Sequence, residues 1–160
     1  MTAAVKPIPD GFHSITPSLT CRDAARAIEF YKSAFGAQEL NRMAGPDGKV
    51  GHAELKIGDS VFFVSDEFPG MSTAPSASAP NTSTYLYVYV TDANAVFNRA
   101  VAAGARVAMP ITDMFWGDRY GKLTDPFGYQ WGIATHVEDV TPEEMGRRSA
   151  AFMAKAAGQS

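Results

Sequence analysis

The sequence predicts an α+β fold in which one βαβββ module is used twice in tandem and is followed by a C-terminal helix. Two observations support this prediction. Helical spacing of apolar residues occurs twice, and each helix begins with Asp-Ala and ends at Gly-Ala. Strand-like segments surround both helices in the same order, one before and three after. The copies are offset by 69 residues, the separation of Asp23 and Asp92.

The first module is predicted over residues 11–66. Its first strand ends at Cys21, and its helix extends from Asp23, a favourable N-cap, to Gly36, a favourable C-cap. Three strands follow, and the turns between them are rich in glycine and aspartate. We expect these strands at residues 39–43, 50–57 and 61–65.

The second module is predicted over residues 85–137. Its first strand alternates tyrosines with aliphatic residues, so the aliphatic residues should face the helix and the tyrosines should face the opposite side of the sheet. The helix extends from Asp92 to Gly104, and the strands that follow lie at 105–111, 119–124 and 129–135. The alternating tyrosines are Tyr85, Tyr87 and Tyr89.

Two further segments complete the chain. Residues 67–84, rich in Ser, Pro, Ala and Thr, predict a linker loop that is either a plain tether or a lid. The tail at 138–160 predicts a helix from Thr141, where Thr141, Pro142 and Glu144 form a capping-box pattern. Its apolar face, which includes Met145, Phe152 and Met153, should dock onto a module or a partner chain.

Composition excludes several classes of function. Hydrophobic residues make up 46% and charged residues 19%, and the net charge of −3 comes with no basic run, so we expect no nucleic-acid partner. No stretch approaches the roughly 18 apolar residues of a membrane span, and we expect no membrane partner. The N-terminus lacks the apolar core of a secretory signal. A single cysteine, Cys21, predicts a reducing, cytoplasmic setting and is either inert packing or a nucleophile.

Several motifs resemble one superfamily. Residues 23–36, with their Asp, Phe-Tyr and Phe-Gly elements, resemble the first helix of vicinal-oxygen-chelate proteins, the superfamily of glyoxalases, bleomycin-resistance proteins and extradiol dioxygenases. Residues 125–128 (Asp-Pro-Phe-Gly) resemble the last hairpin of that family, and residues 52–55 and 116–119 are similar to its PhnB-like subgroup. The resemblance covers about residues 12–136. It implies that the two modules form a curved, cup-like sheet with the helices on its convex face, that the cup holds a small-molecule ligand or substrate, and that the protein is a homodimer.

The resemblance also implies where metal ligands would lie. None of the residues at those positions is His, Glu or Asp, the donors that a catalytic divalent ion requires. We therefore predict neither a metal ion nor a cofactor. A shifted register leaves one alternative, a metal site formed by His13, His52, Glu54 and Gln130. The expected ligand positions hold Thr16, Tyr85, Gly132 and Phe63 or Val64.

Alternation in the strand at 50–57 places His52 and Glu54 on one face, either in the cup as a catalytic acid–base pair or at a solvated sheet edge. Trp116 could stack on a planar ligand while Arg119 binds a carboxylate or phosphate. Alternatively, Arg119 pairs with Asp118 or Asp125, and Trp116 closes the core. The predicted ligand-binding residues are Thr16, Tyr85, Tyr87, Trp116, Arg119 and Gln130.

Three functions fit these residues. The first is a protein that binds a small organic molecule in the cup and acts, if it is an enzyme, as a metal-independent lyase or isomerase. The second is sequestration of an antibiotic or another natural product without catalysis. The third is a metal-dependent lyase of the glyoxalase type.

Overall fold

The computed structural model describes residues 5–158, and it confirms the predicted α+β fold with its two βαβββ modules and C-terminal helix. Most strand boundaries differ from the predicted ones by only one or two residues. The elements of the first module are β1 (Ser18–Cys21), α1 (Ala24–Phe35), β2 (Gln38–Ala44), β3 (Val50–Ile57) and β4 (Ser60–Asp66). Those of the second are β5 (Tyr85–Tyr89), α2 (Ala93–Ala102), β6 (Arg106–Asp113), β7 (Asp118–Thr124) and β8 (Gln130–His136), and α3 (Pro142–Ala157) follows.

The two modules form two four-stranded sheets of identical topology. The strand orders are β1-β4-β3-β2 and β5-β8-β7-β6. In each sheet the first strand pairs in parallel with the last strand of its module, and the other pairs are antiparallel. Ser18 opposes Phe63 in the first sheet, and Tyr87 opposes Gly132 in the second. Tyr87 follows Ser18 by 69 residues, and Gly132 follows Phe63 by the same number. The repeat seen in the helices therefore extends through the sheets.

The helix caps follow the sequence closely. The side chain of Asp23 accepts a hydrogen bond from the amide of Arg26, and α1 ends at Gly36 with a left-handed φ of 67°. Asp92 accepts from the amide of Ala95 in the same way, whereas α2 ends at a right-handed Ala103, one residue before the predicted Gly104. Because the first amides of a helix have no intrahelical partner, these carboxylates stabilise both helix starts.

Both helices cover one face of their sheets and also pack against each other. The aliphatic residues Leu86, Val88 and Val90 pack against this shared core, as the alternation in β5 predicts. Cys21 is fully buried in it, and burial, followed by the nearby carboxylates of Asp125 and Asp66, raises the pKa of its thiol to about 12. Since the thiolate is the reactive form, this environment favours the packing interpretation of Cys21 over the nucleophilic one.

A buried carboxylate joins the two modules. Asp125 accepts hydrogen bonds from the hydroxyl of Tyr31 in α1 (2.7 Å) and from the indole of Trp131 in β8 (2.9 Å). Its other oxygen accepts from the amides of Phe127 and Tyr129 in the Asp-Pro-Phe-Gly turn. Every oxygen of this carboxylate is therefore satisfied, and the predicted pairing of Asp125 with Arg119 is wrong.

The linker and α3 both lie against the second module. In the linker, the Ala77 carbonyl accepts a hydrogen bond from Arg106 at 2.5 Å, and the Asn81 amide donates to Gly128. The α3 helix docks through Phe152, whose ring lies 5.1 Å from that of Phe115. Among residues 5–158, no helix is both long enough and apolar enough for a transmembrane segment.

The predicted capping box of α3 is only half formed. The Thr141 hydroxyl accepts from the amide of Glu144 at 3.3 Å. The Glu144 carboxylate, however, binds the guanidinium groups of Arg147 and Arg148 instead of returning to the cap. Two charged partners on the next turn outcompete a single backbone amide.

Candidate functional site

The face of each sheet turned away from the helices is called here the open face, and in the second sheet it carries a cluster of aromatic residues. Tyr87 and Tyr120 stack with ring centroids 5.0 Å apart and an interplanar angle of 5°. Tyr89 lies 5.2 Å from Tyr87, and Trp116 lies 6.1 Å from Tyr120. We call this cluster the tyrosine wall; it consists of Tyr85, Tyr87, Tyr89, Trp116 and Tyr120.

A single carboxylate holds the wall together. Asp118, at the start of β7, is only 2% exposed. One of its oxygens accepts hydrogen bonds from the hydroxyls of Tyr87 (2.7 Å) and Tyr89 (2.9 Å) and from the indole of Trp116 (3.1 Å). Its other oxygen lies 2.9 Å from Nδ1 of His136. Four donors therefore surround this anion, which compensates for its removal from water.

The protonation states fit this arrangement. Burial alone would raise the pKa of Asp118, but the hydrogen bonds from His136, Tyr87, Tyr89 and Trp116 hold it below its usual value. Burial and the bond to Asp118 raise the pKa of Tyr87, so its hydroxyl stays protonated and donates. Hydrogen bonds to Asp139 and Asp118 raise the pKa of the His136 imidazole. The wall at neutral pH thus consists of neutral rings fixed to an ionised carboxylate.

The turn before β7 positions Trp116 and Asp118 at the tyrosine wall. Gly117 has a φ of 99°, and a Cβ at this position would fall 2.1 Å from the carbonyl oxygen of Glu138. Only glycine fits such a close backbone approach. The α3 helix supports the same turn, because Arg148 pairs with Glu138 and Phe152 packs on Phe115.

Gly132 in β8 makes room for the wall. A Cβ at Gly132 would lie 2.7 Å from Cε2 of Tyr120 and 3.3 Å from Cε2 of Tyr85. The rings of Tyr120 and Tyr85 therefore occupy the space above β8, where any other residue would place its side chain.

Four of the predicted ligand-binding residues line two clefts between the modules, one at each end of β5. A cleft of about 500 Å³ is bordered by Thr16, Tyr87 and Tyr89. A smaller cleft of about 290 Å³ is bordered by Ser18, Tyr85 and Gln130. The wall thus connects two concave spaces, and Thr16, Tyr85, Tyr87 and Gln130 each lie at one of them.

His52 and Glu54 lie together on the open face of the first sheet. Nε2 of His52 is 3.4 Å from Oε1 of Glu54, near the outer limit for a hydrogen bond. The His52 ring contacts the ring of Phe63 edge-on, with centroids 4.7 Å apart. The structure brings these two predicted catalytic residues together, but they line neither of the two clefts.

Arg119 lies apart from the other predicted residues. It pairs with Asp113 across β6 and β7, at 2.7 and 3.1 Å, and not with Asp118. Because β7 alternates without a bulge against β8, Arg119 faces the side opposite to Asp118 and Tyr120. Arg119 therefore does not face the tyrosine wall. Trp116 does not close the core, since its indole binds Asp118 on the open face.

The metal-dependent chemistry of some superfamily members requires donors that this site does not provide. The expected positions hold a threonine hydroxyl, a phenol, a phenylalanine ring (Phe63) and a glycine, and the rings of Tyr85 and Tyr120 fill the space over Gly132. Within the described part of the chain, no three His, Cys, Asp or Glu side chains are grouped to hold an ion, so the alternative set around His52 and Glu54 is not assembled either. The residues present do not fit a catalytic metal.

Sequence reasoning missed several residues of this site. The sequence patterns assign neither Tyr120 nor His136 to it, and they suggest Asp118 only as a partner of Arg119. The alternation of β7 offered a signal, because Asp118, Tyr120 and Lys122 must share one face. The tyrosine alternation of β5 correctly placed Tyr89 on the same side as Tyr87.

Comparison with known proteins agrees with this fold. A family model described as the glyoxalase/bleomycin resistance protein/dioxygenase superfamily matches residues 11–133. An uncharacterized Mycobacterium tuberculosis protein, Rv0887c, is 42% identical over 136 residues, 82% of this chain and 79% of its own. The crystal structure of TioX from Micromonospora sp. ML1 has a TM-score of 0.63 at 28% identity and covers 78% of this chain and 99% of TioX.

The PhnB-like resemblance is also found among solved structures. A PhnB protein from Bacillus cereus has a TM-score of 0.60 and covers 77% of this chain and 99% of its own, with 22% identity. This identity indicates a shared fold alone. With the family match over residues 11–133, the chain belongs to the glyoxalase/bleomycin resistance protein/dioxygenase superfamily.

Proposed function

We propose that this protein binds a small planar organic molecule against the tyrosine wall, without a metal ion. The observation that carries the proposal is the aromatic wall fixed by Asp118 between two clefts. Aromatic rings offer a flat apolar surface, and pairs of rings stack with a preference beyond their buried area. Tyr89, 63% exposed, and Tyr85, 43% exposed, leave ring surface free for a ligand.

The geometry supports binding more strongly than metal-dependent turnover. The wall is pre-organised, because the carboxylate of Asp118 fixes three of its rings before any ligand arrives, and this lowers the entropic cost of binding. We expect this activity in the cytoplasm, in keeping with the single buried thiol of Cys21. Sequestration of a planar natural product requires no more than these features.

Two matched probes test the proposal. Naphthylmethanol is planar, whereas decahydronaphthylmethanol has the same carbon skeleton without aromatic rings. We expect calorimetry to show binding of the planar probe and markedly weaker binding of the saturated one. Tyr85→Ala and Tyr89→Ala should each weaken binding by about fivefold, since an aromatic pair contributes about 0.5–1.5 kcal/mol beyond its buried area.

The control is Phe68→Ala, which removes an exposed ring of the linker that lies outside the wall. Its affinity should equal that of the wild type. Equal affinity for both probes, or no binding of either, contradicts the proposal.

A second candidate function is proton transfer by Glu54 as general base, assisted by His52, in a lyase or isomerase reaction. It is favoured by the 3.4 Å approach of the two side chains and by the Glu54 side chain being only 25% exposed. Glu54→Gln should abolish exchange of a ligand C–H proton in D2O while binding persists. Glu39→Gln is the matched control, because Glu39 is equally exposed but pairs with Arg42.

A further inference from the structure

The tyrosine wall has a cationic end. The ammonium of Lys122 lies 4.1 Å from the centroid of the Tyr85 ring, a cation–π contact. In the part of the chain that the structure describes, Lys122 makes no salt bridge. It is half-buried, so its charge is held close to the apolar rings instead of projecting freely into water.

Gly132 explains how Lys122 reaches Tyr85. Lys122 opposes Gly132, which in turn opposes Tyr87. Because Gly132 has no side chain, the ring of Tyr85 extends over β8, where the ammonium of Lys122 contacts it. At the equivalent position of the first sheet, Glu54 opposes Phe63, which carries a ring where the second sheet has Gly132.

The neighbouring row of the sheet adds polar donors at the same end. Tyr85, Gln130, Thr124 and Arg106 lie in one register row across the four strands. The Arg106 guanidinium binds only the Ala77 carbonyl, and within residues 5–158 it forms no salt bridge. Lys122 and the side-chain amide of Gln130 thus lie close to Tyr85, whereas Arg106 lies farther along the same row, at the other edge of the sheet.

The negative charge of the wall lies at its other end. Asp118 is four residues from Lys122 along β7, about 13 Å at the rise of a strand. Its carboxylate is already saturated by Tyr87, Tyr89, Trp116 and His136. Its oxygens are therefore already hydrogen-bonded within the protein, whereas the ammonium of Lys122 contacts the Tyr85 ring and remains available to an anion.

We propose that the wall selects planar aromatic anions, such as arene carboxylates, with the carboxylate at Lys122 and the ring on the tyrosines. This inference rests on the proposed function, since it specifies the ligand class of the same site. An ammonium beside low-dielectric rings interacts with an anion more strongly than one in open water. The neutral wall supplies the stacking, and Lys122 supplies the preference for charge.

The test compares naphthoate with naphthylmethanol by calorimetry on the full chain. We expect the wild type to bind naphthoate about fivefold to tenfold more tightly. Lys122→Met should bring the ratio of the two affinities close to one, and Lys122→Arg should preserve the preference. Lys56→Met removes a lysine from the open face of the first sheet and should leave the ratio as in the wild type.

The outcomes separate this inference from the proposed function. If the wild type binds both probes equally, or if Lys122→Met weakens both in proportion, the wall binds planar molecules and the selection of anions is wrong. If the wild type binds neither probe, the proposed function and this inference fail together. Melting curves of the Lys122 variants show that they are folded before the affinities are compared.

Discussion

The ring of Tyr120 covers the backbone of Gly132, so that a Cβ at Gly132 would lie only 2.7 Å from Cε2 of the tyrosine. The same tyrosine stacks face to face on Tyr87. The absence of one side chain in β8 is therefore what allows the central rings of the wall to lie flat over the sheet. The rings of Tyr120 and Tyr85 also occupy the position where the resemblance to metal-dependent superfamily members would place a metal ligand.

Gly132→Ala should destabilise the protein and disturb the wall. The added methyl group pushes against Tyr120, and overpacking of this kind costs about 1–3 kcal/mol. The free energy of unfolding, measured in urea, should fall by that amount, and the near-ultraviolet circular dichroism of the tyrosines should change.

Gly51→Ala is the control, because its Cβ would meet only the Met43 carbonyl at an ordinary 3.7 Å. A Gly132→Ala variant as stable as Gly51→Ala would mean that Tyr120 does not occupy the space over β8.

Asp118→Asn should weaken the hydrogen bonds that hold the rings of the wall in place. The amide group keeps one acceptor oxygen but replaces the other with a donor, so at least one of the four surrounding donors loses its partner. A buried donor left unsatisfied costs about 1–3 kcal/mol. Urea denaturation should register this loss, and the affinity for naphthylmethanol should fall as the rings loosen.

The comparison variant for Asp118 is Asp113→Asn. Asp113 is exposed, and its pair with Arg119 lies on the opposite face. We expect little change in stability or binding, because exposed ion pairs are screened by water. Equal losses in the two variants would contradict the role of Asp118 as the anchor of the wall.

The fold could be predicted from local patterns, because helical periodicity, Asp N-caps and C-terminal glycines each depend on residues close together in the sequence. The strand Val50–Ile57 has its predicted bounds, and the alternation in β5 placed the three tyrosines on one face. The Asp118 cluster joins β5, β7 and β8 over 31, 29 and 18 residues of sequence. No local pattern specifies that pairing.

The assignment of Arg119 shows the same limit. Two nearby aspartates, Asp118 and Asp125, were reasonable partners by sequence distance. The β6–β7 register, which contains two irregularities, brings Asp113 opposite Arg119 instead. Alternation along β7 then places this pair on the side of the sheet opposite to the wall.

We predict that the purified protein contains no stoichiometric Zn, Ni, Mn or Fe and that EDTA leaves its melting temperature unchanged. The donor set over Gly132 gives a divalent ion no carboxylate or imidazole. A tightly bound ion stabilises the folded state by mass action, so its removal would lower melting by several degrees. Elemental analysis and thermal melts measure both quantities. If EDTA lowers the melting temperature and added metal restores it, a site that includes His13, His52, Glu54 and Gln130 must form.

We also predict a homodimer with α3 near its interface, since two-fold dimers are the commonest oligomers. The α3 helix has no buried residue, and Met153 is 65% exposed beside the docked Phe152. Sedimentation velocity at micromolar concentration should show the mass of two chains, and Met153→Glu should shift the protein toward the monomer. Lys155→Glu, a charge reversal of similar exposure on α3, is the control. A wild-type monomer, or a dimer insensitive to Met153→Glu, contradicts this prediction.

The stability of the wall should depend on pH through His136. Its Nδ1 lies 2.9 Å from Asp118 and its Nε2 lies 2.8 Å from Asp139, so both nitrogens can donate only when the ring is protonated. The bonds to Asp139 and Asp118 raise the pKa of His136 in the folded state above the ordinary value near 6.5. A raised folded pKa means that the stabilisation is complete below the unfolded pKa and is lost as the pH rises through the folded pKa.

The melting temperature of the wild type should therefore exceed that of His136→Gln by the largest margin at mildly acidic pH, and the margin should shrink as the pH rises above the folded pKa. Asp139→Asn removes the larger cause of the shift and should move the titration of the His136 ring, followed by NMR, to lower pH. Asp118 has a lowered pKa, so its own contribution is present above the unfolded carboxyl pKa and is lost only in acid. The two residues therefore change stability in separate pH ranges. A margin between wild type and His136→Gln that stays constant from acidic to alkaline pH would show that a neutral ring fills the same role.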